Sequence, residues 1–311
     1  MSVFLISLLA VVALLLTAVP GYLFIKLKMM PESCIAGFSK VLLYVCSPCL
    51  SVYSFASVKY SPDVLLDIGV FTLLCVVIFA VMLGGMFLIL FKKSGEPIYR
   101  VITIAAAFSN ATFFGIPIIE ALMGEAAPKL IIYANIFSLV LNIVAWTVGL
   151  AIIHRNPKYM SAKKAILNPA TIGTLVAFII FLFSIPIPDQ ILSMVATTGK
   201  MASPLSMLIL GMRLATVGWR EVFSDLRHYL AVGVNQLIMP LVALLIALLL
   251  PISSEVKIAF FIICSCPIAS NVLNFAEIAG AGQKQAASLV LLGTILSILT
   301  LPVMMLLLPL L

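Results

Sequence analysis

Apolar residues in this chain neither alternate at the two-residue spacing of a half-buried strand nor keep to one stripe of a surface helix. They run on for some twenty positions, break at a short polar patch and resume. A helix needs roughly 20 apolar residues to cross the hydrocarbon of a bilayer. Runs of that size fall at about 3 to 27, 34 to 57, 64 to 91, 99 to 123, 128 to 153, 168 to 186, 189 to 215, 226 to 250, 256 to 279 and 284 to 310. The pattern therefore predicts ten membrane-crossing helices joined by short loops, with no room among them for an extramembrane domain. The first run has no basic stretch ahead of it and is too long for the apolar core of a signal peptide, so it counts as a span.

Composition agrees. Hydrophobic residues make up 64% of the 311 and charged residues only 9%, whereas soluble domains carry about 25% charge. The formal charge of +7 raises nucleic acid as a partner, but a nucleic-acid binder gathers its basic residues on one accessible polar face. Here they sit in the gaps between apolar runs, where they report topology. The odd-numbered connections hold thirteen: Lys26, Lys28, Lys92, Lys93, Arg100, Arg155, Lys158, Lys163, Lys164, Arg213, Arg220, Arg227 and Lys284. The even-numbered ones hold three, Lys59, Lys129 and Lys257, and Lys40 and Lys200 fall inside segments. Odd loops then face the cytoplasm, and ten crossings leave both termini outside. The expectation is a multi-pass protein of the plasma membrane, a bacterial cell membrane in particular, with the lipid bilayer as partner and no nucleic acid.

All six cysteines lie within apolar runs. Cys46 and Cys49 have the spacing of a redox pair, but without a soluble thioredoxin-like unit around them they read as small buried hydrophobes. His154 and His228 fall in loops with no second ligand nearby, so no metal site or cofactor is expected.

The longest polar connection, 154–167, divides the chain into 1–153 and 168–311, five spans each. An odd number of spans per half forces the second half to enter from the opposite side, so an internal repeat must be inverted. A shift of 157 pairs Pro31-Glu32 with Pro188-Asp189, Arg100 with Lys257 and Glu120 with Glu277, and a shift of 156 pairs Ser47-Pro48 with Ser203-Pro204. In that frame the fourth and ninth spans stand out. The fourth carries Ser109 and Asn110 followed by Gly115 and Pro117 in mid-segment, and the ninth carries Pro267 followed by Asn271 and Asn274. Proline removes a backbone donor and clashes with the preceding turn. A backbone group freed in lipid costs several kcal/mol, so such a break survives only where protein or water lines it. Breaks in corresponding spans of two halves point to a transporter's midplane site. Half-helix N-termini brought together there favour an anion.

These residues resemble the auxin efflux carrier family of secondary transporters, which includes bacterial malonate-type carriers and is related to the bile acid/sodium symporters. The resemblance runs along essentially the whole chain. It rests on Pro267, Ala269, Asn271, Ala276 and Gly280 in the ninth span, on Asn168-Pro169 with Ile172-Gly173 in the sixth, and on Pro204-Leu205 with Leu210-Gly211 and Leu214 in the seventh. Asn110, Gly115 and Pro117 add the fourth span, where Thr112 stands in place of a common glycine. It implies an all-α integral membrane fold of ten helices in a five-plus-five inverted repeat, with helices four and nine broken and crossing. It further implies a scaffold of helices one, two, six and seven. A transport unit of helices three to five and eight to ten would carry small organic anions, monocarboxylates and dicarboxylates, by an elevator motion. A homodimer through the scaffold is left open.

Asn110 is the first candidate substrate ligand, because its amide can donate to a carboxylate without bringing a charge into the membrane. Ser109, Asn271 and Asn274 join it, with asparagine as interhelical glue the competing reading. Asn135, Ser138 and Asn142 form one polar stripe on the fifth span, and Asn135, like Lys200 in the seventh, is a further candidate substrate ligand. Lys200 is eleven residues past Asp189, on the order of 16 Å along a helix, and so near mid-membrane, where lysine needs a cavity or a partner. Lys40, Glu120 and Glu277 are candidates for ion coupling, and proton, sodium and uncoupled mechanisms all stay open. An ion channel or a transporter-derived anion sensor using the same pocket is the alternative function. An enzyme is not expected, since no nucleophile, metal or paired-carboxylate arrangement appears at membrane depth.

Overall fold

The computed structural model describes residues 2–280 and 282–311. Its longer helices, in chain order, are α1 (Val3–Lys26), α2 (Cys34–Ala56), α3 (Pro62–Leu90), α4 (Pro97–Ala105), α5 (Ile116–Met123), α6 (Ala127–Val144), α7 (Pro169–Leu182), α8 (Asp189–Lys200), α9 (Ala202–Thr216), α10 (Leu226–Leu249), α11 (Ser254–Cys264), α12 (Asn271–Ala279) and α13 (Gln283–Met305). Among the described residues, extended pairing is confined to one antiparallel bridge between Ser109 and Ile268.

Local chemistry sets many of the boundaries. α3 starts where Ser61 accepts from the Val64 N–H and proline occupies the first turn, and α7 where Asn168 accepts from the Ala170 N–H ahead of Pro169. α12 stops at Gly280, which takes the left-handed conformation at φ 63°. Among the described residues, six helices are long and apolar enough to cross a membrane: α1, α2, α3 with its last turn, the stretch Ala111–His154, α10, and α13 with its last turn. The stretch Ala111–His154 is 44 residues long and folds back on itself near Gly124, because Thr112 and Ser138 share a hydrogen bond. In a straight helix those two residues would lie about 39 Å apart.

Close packing is made by small residues. A Cβ on Gly211 would lie 1.8 Å from the Ala18 carbonyl oxygen, and one on Gly173 would lie 2.6 Å from the Pro48 Cα. Backbone therefore meets backbone where α9 crosses α1 and where α7 crosses α2.

Prolines 48, 117 and 240 share one device. Each follows by two residues a turn widened by one residue, Leu42–Cys46, Ala111–Gly115 and Val234–Ile238 respectively. In the second of these the Gly115 N–H reaches back five residues to the Asn110 carbonyl. The widened turn takes up the mismatch caused by the missing proline donor, and the helix continues through it.

This corrects the expectation that Gly115 and Pro117 break the fourth span. The chain leaves the helix earlier, between Ala105 and Ala111, and Pro117 sits in the first turn of α5. Gly115 matters instead for closeness, since a Cβ there would approach the Cys266 sulfur to 3.1 Å. In the second half Pro267 does lie in the non-helical stretch, between α11 and α12.

Candidate functional site

The two breaks meet. The Asn110 N–H donates to the Pro267 carbonyl at 2.8 Å, and the Ala269 N–H donates to the Phe108 carbonyl at 2.7 Å. Each stretch of unwound backbone thus satisfies the other, which is what exposed peptide groups within hydrocarbon require. The crossing thus brings Phe108 to Asn110 against Pro267 to Ala269.

A cleft of about 980 Å³ opens against this crossing, at the upper end of the range for small-molecule sites. Asn110, Asn271 and Asn274 line it, together with Ser138 and Asn142 from α6. Asn110 and Asn274 form no hydrogen bond to another described side chain, so their amides are free for a ligand, while the Asn271 amide donates to the Asn142 oxygen at 3.3 Å. The cleft opens on the side of the 154–167 connection, whose Lys163 and Lys164 stand at its mouth. Arg213, in the last turn of α9, also lines the wall, and its Nη1 donates to Glu277 Oε1 of α12 at 2.9 Å. Three basic side chains and one carboxylate give the cleft a surplus of positive charge, which draws anions in.

The remaining sequence candidates lie elsewhere. Asn135 is buried and fully engaged: its oxygen accepts from the Ser51 hydroxyl at 3.0 Å and its amide donates to the Ile131 carbonyl at 3.0 Å, while Ser51 also meets Thr174 at 3.1 Å. It joins α2, α6 and α7 and, unlike the other candidate asparagines, does not line the cleft. Ser109 borders the cleft through its backbone, but its hydroxyl turns away to the Met239 sulfur at 3.5 Å. Lys200 is likewise outside the cleft. It lies 5.2 Å from the centre of the Tyr53 ring in a separate pocket of about 130 Å³ that also holds Glu120. Lys40 is exposed on α2 and lines neither cavity.

Two features escaped sequence reasoning. Arg213 counted as a loop charge, although its neighbours Leu210, Gly211, Met212 and Leu214 mark it as a charge inside an apolar run. Asp67, also inside an apolar run, accepts from Ser253 at 3.0 Å and from Tyr133 at 3.4 Å, and sits 3.7 Å from Lys129, which in turn pairs with Glu255. This cluster joins α3, α6 and α11.

A family model described as membrane transport protein matches residues 6–164 and 158–305. The chain belongs to that family, the auxin efflux carriers. It is a multi-pass membrane transporter by family and by its apolar helices. Comparison with curated proteins gave no match. Among the described residues of this auxin efflux carrier family member, unwound backbone, free amides and a basic cleft coincide at the crossing of the two breaks.

Proposed function

We propose that this family member is a secondary transporter for a small organic anion, with a carboxylate held at the crossing of the two breaks. The observation that carries the reading is the cleft itself: uncharged amide donors at its floor, Arg213 on its wall and excess positive charge at its mouth. Amides recognise a carboxylate without the cost of a permanent charge in the membrane, and Arg213 supplies a charge-assisted hydrogen bond.

We further propose ten crossings arranged as two inverted halves. Packing supports this, because a contact between two helices recurs between their counterparts when the two halves are exchanged. α1 packs on α9 as α7 packs on α2, α3 on α6 as α10 on α13, α4 on α13 as α11 on α6, and α1 on α13 as α7 on α6. On this reading α1, α2 and α7 to α9 form a scaffold, and the crossing moves against it as part of an elevator unit. The Arg213–Glu277 pair spans that boundary. The excess of basic loops on the side of the 154–167 connection makes the cleft open to the cytoplasm, with both termini outside.

Uptake of radiolabelled malonate, lactate and indole acetate into proteoliposomes, under proton or sodium gradients, tests the function. Accumulation of at least one is expected, and failure of all of them in both orientations overturns the proposal. Asn110→Ala is expected to abolish carboxylate binding in a folded protein, and unchanged affinity would remove Asn110 from the site.

A further inference from the structure

Away from the cleft, a pocket of about 350 Å³ opens between the end of α3, the start of α4 and the helical turns that follow α6. Phe87, Phe91 and Val148 form its apolar wall, and all three are exposed on the outside of the bundle, where lipid lies. Ser94, Arg100 and Arg155 form its polar end. No carboxylate lines it, and among the described residues neither arginine takes part in an ion pair. Glu96, the carboxylate nearest in sequence, faces Arg227 at 3.7 Å instead.

The Arg100 guanidinium is held by the fold, and the Arg155 guanidinium is exposed beside it. Arg100 donates through Nη1 to the Ile153 carbonyl, and its Nε is buried with no partner. Arg155 closes the helix Leu150–His154 in the left-handed region at φ 51°, a common way for a helix to end. Its Nη1 lies 4.0 Å from the position a Cβ on Gly95 would take. Two like charges beside a hydrocarbon surface, one with an unmet N–H, are stabilised by an anion that both can reach.

We propose that this pocket binds an anionic phospholipid, with the phosphate between Arg100 and Arg155 and the acyl chains along Phe87, Phe91 and Val148. The apolar wall favours a lipid over a free phosphate. Lys92, Lys93 and Lys158 lie close by in sequence, and basic segments at this membrane surface attract anionic headgroups. The site is separate from the cleft and independent of what the protein carries.

The test uses the full-length protein in neutral detergent micelles, titrated in separate arms with phosphatidylglycerol, phosphatidylcholine and water-soluble glycerol phosphate. Native mass spectrometry and the thermal midpoint are read together. One phosphatidylglycerol per chain is expected, retained in preference to phosphatidylcholine, and glycerol phosphate should not displace it at equal concentration. Arg155→Gln should weaken retention about fivefold, and with Arg100→Gln roughly 25-fold, at one headgroup interaction per arginine. Arg155 is exposed, so Arg155→Gln alone keeps the lipid-free midpoint and the test stands even where the double variant does not fold. Equal retention of the two lipids, or wild-type retention by Arg155→Gln, overturns the proposal. Displacement by glycerol phosphate overturns the lipid in favour of a soluble phosphate ester.

Discussion

Glu277→Gln and Arg213→Gln break the same contact, yet they should move ligand binding in opposite directions. The pair is 2.9 Å long, and its side chains retain 20% and 47% of their exposure. At an effective dielectric of about 20, charges that close would attract by roughly 6 kcal/mol. Partial exposure screens them, and such pairs are worth about 0.5–1 kcal/mol net. On the proposed function, a bound carboxylate competes with Glu277 for Arg213. Removing the competing carboxylate by Glu277→Gln should therefore tighten malonate binding about two- to fivefold. Arg213→Gln removes a hydrogen bond to a charged group, about 1.5–3 kcal/mol, and should weaken binding roughly 10- to 150-fold. Calorimetric or thermal-shift titration of malonate against the wild type and both variants measures the two signs directly. If both substitutions weaken binding by a similar factor, the pair only holds α9 to α12. If neither changes it, Arg213 does not touch the ligand.

Three further outcomes follow from the packing. Asn135→Ala should lower stability by about 1–2 kcal/mol, by removing a buried acceptor between α2 and α6; the thermal midpoint should fall while carboxylate affinity holds, and a loss of affinity would return Asn135 to the site. Gly211→Ala forces a methyl group against the Ala18 carbonyl and should cost about 1–3 kcal/mol, read as a lower midpoint; a wild-type midpoint would contradict the close approach of α1 and α9. Lys200→Gln should leave carboxylate affinity unchanged, since Lys200 shares its pocket with Glu120 rather than with the crossing; weakened binding would argue for a link between the two cavities.

The asparagines show how far the site was legible. Asn110, Asn271 and Asn274 stood out because amides are rare within apolar runs, and all three line the cleft. Asn135 stood out for the same reason and belongs to a different contact. It and Asn142 share a stripe on one helix, yet seven residues carry the stripe about 10 Å along the axis. That distance takes it from the junction with Ser51 and Thr174 to the cleft wall. Lys200 read as a charge needing company, and its company is Tyr53 and Glu120. Arg213 was lost to the loop count, because an arginine one turn from a helix end looks the same whether it points to water or into a cavity.

What the amino-acid order determined unaided is the set of properties each segment has alone. These are apolar runs long enough for hydrocarbon, the unequal basic charge of alternate loops, and the few polar groups left inside. Each depends only on how a stretch of residues partitions between water and lipid, which composition and length decide. The tertiary structure decided which segments face one another. The break in the fourth span falls at Phe108 to Asn110 rather than at Pro117, because that is where Pro267 and Ala269 offer backbone partners. Pro117 is absorbed by a widened turn. Unwound backbone in a membrane is stable only when paired, and the pair exists only once both halves of the chain are in place.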